Sequence, residues 1–159
     1  MKLLVLTAVA LLALTGCNST KPAPASTNQQ AALTGELPHN PLAWRVVTSW
    51  TNQRKATMST LYGNDLAVDY ARSHADHTYP AGAVLALVTW AQRNDPHWFG
   101  ARIPSAPQSV EFVTVQTPGQ SAVYERYQGS PLARVDAGSA ETTAQRIDYL
   151  LSQRAAVMP

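Results

Sequence analysis

His74 and His77 stand three residues apart with Asp76 between them, and two imidazoles at that spacing are the beginning of a transition-metal site. A third donor would have to come from a distant part of the chain, and His97 is the candidate. The plainer account is a solvated polar loop whose imidazoles sit favourably beside a helix C-terminus. A second cluster is His97-Trp98-Phe99-Gly100-Ala101-Arg102. Here adjacent aromatics could line a small-ligand pocket, with Arg102 gripping a carboxylate or phosphate through two donors. Alternatively, Trp98 and Phe99 cover the end of a sheet, where aromatics bury large areas, and Arg102 makes a surface pair.

Other chemistry is poorly supplied. No GxSxG elbow marks a nucleophile, the ten carboxylates are scattered singly, and the eight glycines form no phosphate-cradling loop. The single cysteine, Cys17, excludes an internal disulfide, a CxxC redox pair and any multi-cysteine metal centre. The formal net charge is only +2, one unit of it from Lys2, and no run of Lys or Arg offers the positive face that nucleic acid requires. Nucleic acid is therefore not an expected partner, and catalytic residues are not identified.

Any such groups must be held by a small set of elements. Trp44–Thr51 and Ala56–Tyr62 alternate and flank the polar stretch Asn52-Gln53-Arg54-Lys55, which predicts a hairpin. A helix competes for the first segment, because Val46, Val47 and Trp50 also fit helical spacing. Asn64 can cap a short helix over Asp65–Ser73, with Asp65 in its first turn and Arg72 in its last. Tyr79-Pro80-Ala81-Gly82 makes a turn into Ala83–Ala91, a run apolar enough to be covered on both faces. A proline-rich loop through Pro104 and Pro107 should follow. Val110–Thr117 and Ala122–Tyr127 read as two more strands, and Ser139 caps a closing helix with Ala144, Ile147, Leu150 and Leu151 on its apolar stripe. The expected fold is α+β, an antiparallel sheet of about five strands with two packed helices.

The N-terminus supplies an address. Leu3–Leu14 is apolar apart from Thr7, and twelve residues at helical rise reach only about 18 Å, too short to span a bilayer of about 30 Å. The run ends in Leu14-Thr15-Gly16-Cys17, which resembles the bacterial lipobox. That resemblance implies a signal peptide over residues 1–16. It also implies a mature N-terminal Cys17 carrying diacylglycerol and an N-acyl chain such as palmitate, which together give lasting membrane attachment. Asn18 at the next position points to the outer membrane, with the domain facing the periplasm. Residues 17–36 are poor in large apolar groups and read as a lipidated cysteine followed by a flexible tether, able to hold the domain about 50 Å from the lipid. The folded domain is then 37–159.

Thr60-Leu61-Tyr62-Gly63-Asn64-Asp65-Leu66-Ala67, followed by Tyr79-Pro80-Ala81-Gly82-Ala83-Val84-Leu85, resembles the cytochrome P460 family. The order of later pieces, Val110–Gln116, Val123–Tyr127 and a helix containing Asp148-Tyr149-Leu150, is similar too. The resemblance implies a compact, mainly antiparallel fold. Members of that family that oxidise hydroxylamine or bind nitric oxide carry a c-type haem on a CxxCH before the closing helix, whereas Gly138-Ser139-Ala140-Glu141-Thr142-Thr143-Ala144 holds neither Cys nor His. Thioether attachment needs cysteine and the iron needs an axial donor. No lysine follows Lys55 to supply the porphyrin cross-link of the P460 proteins. Covalent haem is thus not expected, and no other cofactor is indicated.

The expected function is a lipid-anchored, periplasmic envelope protein whose haem-less domain is a non-catalytic binding or structural module, with a small ligand or an envelope protein as partner. The alternative is a haem-binding oxidoreductase or electron carrier, its haem held non-covalently by His74, His77 or His97.

Overall fold

A computed structural model of the chain describes residues 28–74 and 76–156. The signal peptide, Cys17 and the tether as far as residue 27 lie outside the described residues. The strands are β1 (Arg45–Asn52), β2 (Thr57–Gly63), β3 (Val84–Asn94), β4 (Arg102–Thr117), β5 (Ser121–Gln128) and β6 (Ala133–Val135). Two helices, α1 (Asp65–Ser73) and α2 (Ala140–Leu151), complete an α+β fold. The strands form one six-stranded antiparallel sheet in the order β1-β2-β3-β4-β5-β6, each pairing with its neighbours in sequence.

Alternation decides the two faces. In β2, Thr57, Ser59, Leu61 and Gly63 are buried while the residues between them are half-buried. Leu61, Leu85, Leu87, Val113, Val115 and Tyr124 form one face, covered by Val68 of α1 and Leu150 of α2. The opposite face carries Ala86, Val88, Trp90, Val110, Phe112 and Tyr127. The central strand β3 is buried on both sides, as its unbroken apolar run predicts.

Local chemistry ends the elements where the sequence predicts. Asn64 caps α1, its Oδ1 accepting from Ala67 N at 3.0 Å and its Nδ2 donating to Gly82 O at 2.9 Å. Ser139 caps α2 through Thr142 N. The first segment is a strand, and the helix that competes for it does not form.

Three features differ from the expectation. The proline-rich loop is the first half of β4: Pro104 pairs with Gln92 and Pro107 with Trp90, at register shifts along β3. Pairing with β5 starts only at Ser109, so on that side the prolines lie on an unpaired edge where a missing N–H costs little. A sixth strand, β6, adds a short edge beyond β5. The packed part also begins before Leu37. Ala31 and Leu33 pack on the second face, Trp90 Nε1 donates to Ala31 O at 2.9 Å, and Leu132 N donates to Thr34 O at 2.7 Å. Residues 28–36 are modestly apolar, yet the sheet offers them an apolar face that neither α1 nor α2 covers.

Candidate functional site

On the helix-covered face, the alternation that buries Val115 and Val113 carries on to Glu111, which is only 4% exposed. Its neighbours in register are Leu87 on β3 and Arg126 on β5. A carboxylate in that position must be paired or become neutral. It is paired. Arg146 of α2 donates from Nε to Oε2 at 2.6 Å and from Nη2 to Oε1 at 2.8 Å, and the Tyr124 hydroxyl donates to Oε2 at 2.6 Å. The Arg146 guanidinium lies over the Tyr149 ring, 4.8 Å from its centroid, and Tyr149 meets Trp50 edge-on.

These groups border a cavity of about 420 Å³ between α2, the sheet and the β1–β2 turn, lined by Lys55, Glu111, Tyr124, Arg126, Arg146 and Tyr149 among others. Three cations thus face one carboxylate. Among the described residues Arg126 Nε is buried with no hydrogen-bond partner.

Protonation in this site is held away from neutrality. Burial pushes the Glu111 carboxyl up, but the hydrogen bonds from Arg146 and Tyr124 and the charges of Arg146 and Arg126 outweigh it, leaving the group below its ordinary value. The Tyr124 phenol is pushed well above its ordinary range by burial and by the Glu111 carboxylate it serves. An ionised acid and a protonated phenol, each locked to the other, suit fixed recognition and not proton transfer.

The histidines are placed as follows. His74 ends α1, stacked on Tyr70 with ring centroids 4.1 Å apart, and its Nδ1 is 2.8 Å from Ser73 Oγ. Asp76 accepts a hydrogen bond from the Tyr70 hydroxyl, which holds the carboxyl low and pushes the phenol up. His77 borders a separate cavity of about 340 Å³ with Tyr79, Ile147 and Leu151, where burial pushes the Tyr79 phenol up to about 12. His97 lies beyond the other end of β3, whose eleven residues cover roughly 35 Å. The fold therefore does not bring His97 to His74 and His77. Among the described residues no group of three or more His, Cys, Asp or Glu side chains is placed to hold a metal ion. No helix among them is long and apolar enough to cross a membrane.

Trp98 is 72% exposed and Phe99 is fully exposed, so neither covers the end of the sheet. Arg102 is the exposed first residue of β4. A cavity nearby is lined by Asn28, Gln29, Arg93, Asp95, His97 and Ile103, with Trp98 and Arg102 outside it.

Sequence reading missed Glu111, Tyr124 and Arg146. The available signal was a charged residue in phase with Val113 and Val115; its partner, thirty-five positions away, leaves no local trace. As a seat for c-type haem the Glu111 cavity does not fit. Its lining supplies ammonium, guanidinium, carboxylate and phenol groups, with no thiol to form a thioether.

A family model described as Cytochrome P460 matches residues 38–142 of the chain. No curated protein matches it.

Proposed function

The chain belongs to the cytochrome P460 family, and from that premise we propose that it uses the family's fold as a haem-free binding module of the bacterial envelope. In this reading Cys17 is lipidated and holds the domain at the outer membrane, facing the periplasm, and the module is non-catalytic. Its ligand is a small anion, a carboxylate or phosphate compound. The observation that carries the proposal is the charge balance around Glu111: Lys55, Arg126 and Arg146 outnumber the single carboxylate in one cavity. A carboxylate or phosphate would reduce that positive excess.

Two measurements test this. Protein produced with haem available should show no Soret band; a stoichiometric iron porphyrin would replace the proposal with the haem-protein alternative. A thermal-shift screen of dicarboxylates and phosphate compounds should raise the melting temperature of the native chain, because a ligand that binds only the folded state stabilises it. Arg126→Gln should lose that response. Equal shifts in the two proteins would remove the cavity from consideration.

A further inference from the structure

Trp98 and Phe99 are the most exposed large apolar side chains among the described residues, and they are adjacent. A tight turn holds them at the tip of the β3–β4 hairpin. Ala101 N donates to Trp98 O at 3.1 Å, Asp95 N to Ala101 O at 3.0 Å, and Gly100 adopts φ +79°, which a glycine accepts without strain. The rings are thus presented outward on a hydrogen-bonded backbone. Exposing two aromatic faces to water side by side is unfavourable, and the common resolution is a partner surface.

The chain's own path says which surface. The described part begins at Asn28, whose Nδ2 donates to Pro104 O at 2.6 Å and whose Oδ1 accepts from Arg93 Nη2 at 3.4 Å. Both partners stand next to the same hairpin tip. Only residues 18–27 separate Asn28 from Cys17, so however they run the link spans at most about 40 Å. It is therefore shorter than a tether running to residue 36, and it leaves the domain from the end that carries Trp98 and Phe99. Charge agrees with a lipid headgroup layer: Arg93 and Arg102 flank the tip and outnumber Asp95, which accepts from His97 N at 2.8 Å.

The geometry points to the Trp98–Phe99 tip as a second membrane contact, its rings seated in the headgroup–acyl boundary of the leaflet that holds Cys17, with the exposed Arg102 at the phosphates. The inference rests on the anchor reading of Cys17. It adds that the domain lies on the lipid in one orientation, leaving the Glu111 cavity, on the helix-covered face, open to solutes.

The test uses the full mature chain purified from membranes and reconstituted in phosphatidylethanolamine–phosphatidylglycerol vesicles with brominated acyl chains. The difference in emission between the native chain and Trp98→Phe isolates Trp98 from the other three tryptophans. That difference should be quenched by brominated lipid and protected from aqueous iodide. Quenching by iodide and not by bromine would overturn the proposal. Protection from both would overturn it too, in favour of a protein cover on the tip. Intact mass separates the two readings: a bare Cys17 defeats the anchor itself, whereas an acylated chain with an unquenched Trp98 defeats the docking alone.

Discussion

Glu111 and Arg146 meet fork to fork, through Nε–Oε2 at 2.6 Å and Nη2–Oε1 at 2.8 Å, and so tie the middle of the sheet to the closing helix. The carboxylate is almost fully buried, and about a third of the arginine side chain remains in contact with solvent. A pair placed this way specifies how α2 sits more than it stabilises the whole, because desolvation offsets much of the attraction.

Removing one partner is therefore the severe change. Arg146→Ala should destabilise the domain by about 3 kcal/mol in urea unfolding, since Glu111 is left buried without its counter-ion. Joint replacement, Glu111→Leu with Arg146→Met, should restore most of that loss. An Arg146→Ala midpoint equal to that of the native chain would show that the pair contributes nothing.

The same pair sets an acid response. The Glu111 carboxyl titrates lower in the folded chain than in the unfolded one, so between those two values the unfolded state binds more protons. Its stabilisation is present above the unfolded value of about 4.3 and is lost as pH falls through the folded one. Urea midpoints measured from pH 6 downward should fall more steeply for the native chain than for Glu111→Gln. Parallel curves would remove Glu111 as the titrating group.

How much of this was legible in the sequence follows the distance over which each feature is determined. The hairpin, the Asn64-capped helix, the Pro80–Gly82 turn and the doubly buried strand are set by neighbours a few residues apart, and all are found. Pro104 and Pro107 misled because a proline argues against a strand only where its N–H would be needed, and the pairing that decides this lies elsewhere in the chain. Residues 28–36 misled because their few apolar groups matter only once an uncovered sheet face exists to receive them. The Glu111 site was hidden for the same reason: each residue is ordinary, and only the register of β4 and β5 under α2 brings them together.

Asn64 does three jobs at one point. Its Oδ1 accepts from Ala67 N at 3.0 Å and Val84 N at 3.2 Å, and its Nδ2 donates to Gly82 O. Asn64→Ala should cost about 2 kcal/mol, the upper part of the range for a lost cap, because the turn into β3 is released with the helix end. Asn64→Asp keeps the acceptor and should recover about half. Thermal unfolding of the three proteins checks the order; equal loss in both variants would show that the Nδ2 bond dominates.

The stretch before Leu37 offers the clearest contrast between local reading and packing. A chain beginning at Leu37 would lose the Ala31 and Leu33 contacts and the Trp90 Nε1 bond to Ala31 O. It should be less stable than one beginning at Asn28 by about 2–4 kcal/mol, from two small apolar groups and a buried donor left unpaired. Gly35 gives a point test of the same docking. It adopts φ +123°, and a Cβ there would stand 2.1 Å from Leu132 O, so Gly35→Ala must force the segment off β6's edge. Its unfolding midpoint should approach that of the shorter chain, and Trp90 emission should shift to the red as water reaches the indole. If both proteins matched the longer native chain in midpoint and emission, residues 28–36 would be a tether after all, and the second face of the sheet would hold without them.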